Sequence, residues 1–413
     1  MLTVKAAREM VLDHCRSIRP DRLATEVVPL PASQGRVLAE PVHLDTDQPP
    51  FDRSMRDGYA VKSRDLESLP ARLRCVGEIK AGEVPTRVLK SGEAIQIMTG
   101  APAPEGADAV VMVEHTECLP KDEVAVLRSV PSGANIAPRG SERRRGELLM
   151  PTSTRLGVLE VGGLAAVGKA QVQVFRRPEV GILATGDELV DVDQEPGPGQ
   201  IRNSNAYSLS AQVVSHGGMP RVLATAGDTM EQLRRQIRLG LESDLLLVSG
   251  GVSAGKYDLV EEVFEEFGIQ VLFEAVSMRP GKPTVFARRE QQFVCGLPGN
   301  PVSTFVAFEL FVAPVLQTLQ GLPAGSLKVV RGRLHEKILE KSGRTALLPA
   351  TVTLESGDIR IRPVSWKGSA DIFSLADANG LVVVPLECSE LAAGQEADAL
   401  LFEPLTGLSG CEF

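Results

Sequence analysis

The stretch VGILATGDE, residues 180–188, decides the fold. Val180 to Ala184 carry only apolar or small side chains, as a strand buried on both faces requires. The run then stops in a polar loop, Thr185-Gly186-Asp187-Glu188. NSNAYSLSAQVVSHGG (203–218) follows as a helix, with Asn203 as N-cap and Gly217 near its C-terminus. RVLATAGD (221–228) reads as a second strand and TMEQLRRQIRLGLES (229–243) as an amphipathic helix. DLLLVSGG (244–251) is a third, almost wholly apolar strand. LVEEVFEEFG (259–268) is a helix, and QVLFEAVS (270–277), PTVFARR (283–289) and QFVCGL (292–297) are strands. PVSTFVAFELFVAPVLQTLQG (301–321) closes the series as a long apolar helix. Strands alternating with helices predict an α/β unit with a doubly wound parallel sheet.

On either side the pattern changes. Leu2 to Ser17 has apolar residues at helical spacing, and Pro20 ends it. From Val27 to about Val130, short β-rich runs such as ARLRCVGEI (71–79) are divided by Gly and Pro, which predicts an inserted all-β unit. A basic loop, PRGSERRRG (138–146), precedes a short apolar helix at 156–168. From about Ala324 the pattern returns to short strands, a small C-terminal β unit. At 413 residues the chain has room for two to four domains.

Composition narrows the function. The net charge of −9 and an aromatic content of 4% argue against a nucleic-acid partner, which needs a basic field or stacking surfaces. None of the six cysteines lies at metal-ligand spacing from another, so a zinc site is not expected. The charged N-terminus is no signal peptide, and no stretch approaches the length of a membrane span. Scattered cysteines in a leaderless chain point to a reducing cytoplasm.

Ligands of an open parallel sheet bind outside the carboxyl ends of its strands. Here those ends carry Asp187 and Glu188, then Asp228, then SGGVSAGKYD (249–258) with Asp258. The Gly- and Ser-rich loop suits an anion nest, although it has neither Walker A nor GxGxxG spacing. Carboxylates beside such a nest call for a cation between them, and Mg²⁺ is the natural choice. A single Asp holds a turn or caps a helix as readily, but four acids on one rim point to a site. The loop RPGKP (279–283) adds Arg279 and Lys282, and GLPGNPVS (296–303) starts the long helix with Pro301 near its first turn. Together they predict a second anion site. Asp57-Gly58 reads as a turn and Thr99-Gly100 as a strand end. The five scattered histidines give no support to nucleophilic catalysis, Cys295 reads as core, and His216 reads as a helix-end cation.

FDRSMRDGYAV (51–61), IMTGAPAPEGADAVVMVE (97–114), ILATGDEL (182–189), SGGVSAGKYD, RPGKP, GLPGNPVS and KGSADIFSLADANGL (367–381) occur in this order. Together they resemble the molybdopterin molybdenumtransferase family, the MoeA-like proteins related to the E domain of gephyrin. The resemblance implies a reaction in which adenylylated molybdopterin and molybdate give molybdenum cofactor and AMP, assisted by Mg²⁺. It implies an elongated homodimer of four-domain subunits. These are a linker and dimerisation domain (1–44 and 144–176), the β insert (45–143), the α/β molybdopterin-binding domain (177–323) and a C-terminal β-barrel (324–413). The cleft lies between the α/β domain of one subunit and the insert of the other.

The implied roles map residue by residue. Asp228 and Asp258 hold Mg²⁺. Thr185, Asp187, Ser249, Gly250, Gly251, Ser253, Gly255, Pro298 and Pro301 bind the cofactor. Arg279, Lys282, Ser303, Arg344 and Ser369 surround molybdate. Asp57, Thr99, Glu142, Glu188, Asp228 and Asp258 form the catalytic set. The substrate's dithiolene supplies the sulfurs, so unpaired cysteines are no obstacle. Further partners expected are the molybdopterin adenylyltransferase and Mo-enzyme maturation proteins.

The chain departs from the family pattern in places. DNSAMDGYAV reads DRSMRDGYAV here, which adds Arg53 and Arg56. An ungapped alignment puts Glu142 where the family's RRRGED has its functional Asp; a slipped one puts Glu147 at the preceding acidic position. The register of Arg155-Leu156 favours Glu142. Two other functions compete: the related adenylyltransferase step, against which the insert and barrel speak, and a gephyrin-like scaffold, against which Asp228 and Asp258 speak.

Overall fold

The computed structural model describes residues 1–227, 229–251, 257–325, 327–355, 357–402 and 405, the side chains of Tyr257 and Asp258 excepted. Among the described residues the central sheet has six strands. Their order is Met219–Val222, Glu179–Ala184, Leu245–Ser249, Gln292–Leu297, Val285–Arg289 and Gln270–Phe273. Leu245–Ser249 lies at its centre, and its side chains alternate between two cores. Leu245 and Leu247 pack with Phe286, Val302 and Phe308; Leu246 and Val248 pack with Leu233, Val263 and Phe264. Asn203 caps the Ser204–Ser215 helix by accepting the Ala206 N–H at 3.1 Å. Gly217, with φ +84°, ends it as expected.

Three elements differ from the sequence reading. The sheet is mixed: five strands run in one direction, while Val285–Arg289 runs against both its neighbours. Only Glu290 and Gln291 separate it from the next strand, and a parallel crossover needs about a dozen residues. The second strand spans Met219–Val222 rather than 221–228. It contains Pro220, whose missing N–H is tolerated because this strand is the sheet edge. The run 270–277 is two strands, not one. Gln270–Phe273 stays in the sheet, whereas Val276–Arg279 pairs in parallel with Leu2–Thr3 and with Thr345–Glu355. Both halves bury apolar side chains in the same core, so hydrophobicity does not mark the split.

The C-terminal strands close into a barrel. Thr345–Glu355 pairs with Asp358–Pro363 on one side and Gly380–Val384 on the other, and Val329–Leu334 and Glu396–Leu401 complete the ring. Thr25–Pro29 pairs with Gln171–Phe175, and Val42–His43 with Leu148–Met150. The β pattern that begins at Val27 is therefore not all insert. The Pro301–Leu319 helix is long and apolar enough to cross a membrane by length and composition, contrary to the sequence expectation. It is a core helix, with 78% of its apolar window buried inside the protein.

The insert is a sheet in the order Ala109–Met112, Gly58–Val61, Glu93–Ile97, Ala71–Ile79, Glu123–Val126 and Thr116–Leu119. Gly58 opens an interior strand instead of closing a turn. A Cβ there would overlap the Val111 carbonyl oxygen, so only glycine fits. Gly58→Ala is expected to destabilise the insert by roughly 2 kcal/mol or more. Hydrogen exchange checks it: amides of Tyr59, Ala60 and Val61 should exchange faster while those of the C-terminal barrel are unchanged.

Candidate functional site

A cleft of about 740 Å³ opens at the carboxyl ends of the central strands. Of the residues selected from the sequence, Thr185, Glu188, Ser249, Gly250, Gly251, Pro298 and Pro301 line it. Ala370, Ile372 and Phe373 of the C-terminal unit complete its wall. A neighbouring groove of about 590 Å³, bordered by Tyr207 and Val222, contains none of the sequence-selected residues.

The glycine loop is fitted to Thr185. Gly250 has φ +90°, and a Cβ there would sit 2.6 Å from the Thr185 carbonyl oxygen. Gly251 has φ +66°, and its Cβ would sit 2.6 Å from Thr185 Oγ1. Both positions therefore exclude a side chain twice over, by backbone conformation and by contact. Gly250 N–H donates to Leu297 O at 3.1 Å, which joins two strand ends. Among the described residues, Thr185 Oγ1 and Asn205 Oδ1 are buried without a hydrogen-bond partner. An unmade buried hydrogen bond costs about 1–3 kcal/mol, which native proteins accept mainly where a ligand or solvent completes it.

Asn205 escapes the sequence reading. Its Nδ2 donates to Ser249 Oγ at 2.9 Å and to Gly299 O at 2.8 Å, bridging the two loops of the cleft. The available signal was a second Asn, two residues after the cap, at a helical position that Asn disfavours.

The acidic rim is described in part. Glu188 lines the cleft. An Asp187 carboxylate oxygen lies 2.8 Å from where a Gly227 Cβ would be, against the backbone that leads into Asp228. Asp228, Ser253 and Gly255 lie outside the described residues, as does the side chain of Asp258. Among the described residues no three His, Cys, Asp or Glu side chains form a metal cluster. The described oxygens, from Asp187, Glu188 and the Thr185 hydroxyl, are hard donors of the kind Mg²⁺ takes.

The cationic residues meet on another flank. Arg279 ends the strand that joins the barrel, and its Nη1 donates to both Glu340 oxygens at 3.1 and 3.0 Å. It is ion-paired rather than simply solvated, and Glu340 was not foreseen. Arg344 Nη1 donates to Met278 O at 3.3 Å. Ser303 is buried, and a Cβ on Gly281 would be 3.6 Å from its carbonyl oxygen. Asn300 stands at the N-cap of the long helix, yet its side chain does not cap it. It donates instead to Ser369 Oγ at 2.8 Å, while Val302 N–H donates to Ser369 O at 3.0 Å. Lys282 is exposed on the turn after Arg279. None of these five residues lines the cleft itself; Lys282 directly precedes Pro283, and Ser369 precedes Ala370 and accepts from Asn300, and these three neighbours do line it.

The insert residues form pairs of their own. Asp57 Oδ1 accepts the Thr99 N–H at 2.7 Å and the Thr99 hydroxyl at 2.9 Å. The Thr99 N–H first, and its hydroxyl second, hold the Asp57 carboxyl below the ordinary range. Glu142 accepts from Arg53 Nη2 at 2.6 Å, whereas Glu147 is 3.8 Å from Arg143. None of Asp57, Thr99 and Glu142 lines the cleft of its own chain.

Known proteins match throughout. The MoeA N-terminal region (domains I and II) matches residues 2–168, a probable molybdopterin-binding domain residues 181–318, and the MoeA C-terminal region (domain IV) residues 331–402. A molybdopterin molybdenumtransferase of Bacillus subtilis is 35% identical, covering 93% of this chain and 91% of its own. One from Nostoc is 36% identical, covering 90% and 87%. The crystal structure of a molybdopterin biosynthesis MoeA protein from Pyrococcus horikoshii superposes with a TM-score of 0.83 at 30% identity, covering 97% of this chain and all of that one.

Asp57 yields a pH prediction. A carboxyl with a depressed pKa contributes stability above its unfolded value and loses it as pH falls through the folded value. Thr99→Val removes the hydroxyl donor, so the Asp57 pKa is expected to rise toward about 3.9. A ¹³C NMR titration of the Asp57 carboxyl checks this; an unmoved midpoint contradicts it.

Proposed function

We propose, from the premise that this chain belongs to the MoeA family of molybdopterin molybdenumtransferases, that its cleft inserts molybdate into adenylylated molybdopterin and releases AMP. Membership makes the chain a transferase of molybdenum cofactor biosynthesis. The observation that carries the detailed reading is the pairing of a glycine-lined rim with a flank of cations and hydroxyls around one helix start.

Each side suits one anion. The Gly250-Gly251 backbone receives the substrate's phosphate where no side chain is tolerated. Asn205 holds the two cleft loops at a fixed distance and keeps its own Oδ1 for the ligand. Arg279, Lys282 and Arg344, with Ser303 and Ser369, gather molybdate, a tetrahedral dianion that takes hydrogen bonds from several directions. Asp228 and Asp258, with Asp187 and Glu188 nearby, are the residues that would hold Mg²⁺, whose chemistry is to neutralise charge at the anhydride phosphates. Asp57, kept ionised by Thr99, accepts a hydrogen bond from the water that opens the anhydride. Glu142 is the insert's second acid, with Arg53 fixing its direction.

Asp57, Thr99 and Glu142 serve the cleft of a second copy, because none borders its own. The homodimer this requires has exposed apolar side chains to cover, among them Val158, Leu159, Tyr207 and Val222. The four-part division at 1–44 with 144–176, 45–143, 177–323 and 324–413 is supported at its split first part by the pairings of Thr25–Pro29 with Gln171–Phe175 and of Val42–His43 with Leu148–Met150, while Val276–Arg279 reaches across from the third part to Leu2–Thr3 and to the barrel. The working compartment is the cytoplasm. An ATP-using adenylyltransferase supplies the substrate, and Mo-enzyme maturation proteins receive the product.

Mixing two inactive variants tests the shared cleft. Asp57→Asn and Gly250→Val are each expected to abolish AMP release from adenylyl-molybdopterin with molybdate. Co-folded in equal amounts, they should recover roughly one quarter of wild-type activity, since half the dimers are mixed and each has one intact cleft. No recovery would mean that each cleft is complete within one chain.

A further inference from the structure

We propose that Glu340 is a positioning residue for molybdate capture: from the barrel it orients Arg279 through one nitrogen and leaves the rest of the guanidinium to the oxyanion. The inference rests on the reading of Arg279 as a molybdate contact.

Buried carboxylates are rare unless a partner holds them. The Glu340 side chain is 2% exposed, and that of Arg279 is 43% exposed. The pair therefore has a buried anion and a cation that reaches solvent. Glu340 Oε1 also accepts the Ser342 N–H at 2.7 Å. Burial pushes the Glu340 carboxyl up, but hydrogen bonds from Ser342 and the charge and hydrogen bonds of Arg279 more than offset this, so it stays ionised.

A guanidinium presents five N–H donors in a rigid plane. Glu340 engages Nη1 alone, with both of its oxygens. The Trp366 ring lies against the same group, 5.7 Å from the guanidinium carbon to the ring centroid. One contact restrains the group in its plane and the other restrains a face. Nε and Nη2 of Arg279 have no partner among the described residues. That edge offers two parallel N–H bonds, the arrangement that matches two oxygens of an oxyanion. The backbone supports it from both sides: Met278 and Arg279 pair with Thr345 and Ala346, and Arg344 returns a hydrogen bond to Met278 O. The Glu340–Arg344 loop thus sets two of the three cations of the molybdate flank, Arg279 and Arg344.

Steady-state kinetics of the full-length protein, varying molybdate and adenylyl-molybdopterin separately, test the inference. Glu340→Ala is expected to raise the molybdate KM about tenfold, as loss of one well-oriented charge-assisted contact does. kcat and the KM for adenylyl-molybdopterin should stay within about twofold, a split that a general loss of structure does not produce. Glu340→Gln keeps one acceptor for Nη1 and should raise the molybdate KM only about threefold. Arg279→Ala with Glu340→Ala should be no worse for molybdate than Arg279→Ala alone. Equal rises in both KM values, a change in kcat alone, or multiplying effects in the double variant overturn the inference. If Arg279→Ala itself leaves the molybdate KM unchanged, the reading of Arg279 fails first, and the inference with it. Should the alanine variant not fold, an unchanged molybdate KM in Glu340→Gln overturns it on its own.

Discussion

The ladder of hydrogen bonds made by Val276–Arg279 joins parts of the chain that are far apart in sequence. This strand leaves the α/β unit, accepts Leu2–Thr3 on one side and lies along Thr345–Glu355 of the barrel on the other. Met278 points into the core shared with the long helix, and Arg279, the next residue, meets Glu340. Side chains alternate along a strand. A slip of one residue would exchange the two, burying a guanidinium and turning Met278 toward Glu340. The apolar core therefore fixes the register, and the register delivers the cation.

The glycine loop imposes a second constraint, of a steric kind. Thr185 occupies the space that side chains at 250 and 251 would need. In exchange its hydroxyl is buried without a partner among the described residues, a cost that a cleft occupant would remove. The site is thus built from absences of Cβ on one side and from ion pairs on the other. A net charge of −9 is compatible with two anionic ligands for this reason: what matters is the handful of cations within a few ångströms, not the sum over the chain.

Much of this was legible in advance. The strands of the α/β unit announce themselves by apolar runs, its helices by periodicity and caps, and the rim by its glycines and acids. Three features were not. The split at Glu274-Ala275 is hidden because both halves are apolar and face one core. The role of Gly58 is hidden because a glycine that permits close strand contact and one that permits a turn look alike in sequence. Asn205, Asn300 and Glu340 are hidden because a polar residue's partner is a tertiary fact: Glu340 lies 61 positions from Arg279, and nothing local distinguishes it from a surface acid. Family motifs single out candidate ligating residues, but not the residues that hold them.

The insert shows how a local change can alter a site's field. Arg53 and Glu142 both differ from the family pattern, and they bond to each other at 2.6 Å. The lengthened acid keeps its single charge, so Arg53 adds one positive charge to the family pattern and neutralises Glu142 within the pair. Both side chains are about half exposed, and a pair of that kind contributes only about 0–1 kcal/mol. Its role is therefore electrostatic and directional rather than one of holding the insert together. Arg56 has no such counterweight: its side chain is exposed and has no partner among the described residues. It lies one residue before Asp57, the acid assigned to a neighbouring copy's cleft. Of the two arginines that distinguish this chain, Arg56 is the one whose charge remains to act on an anion there.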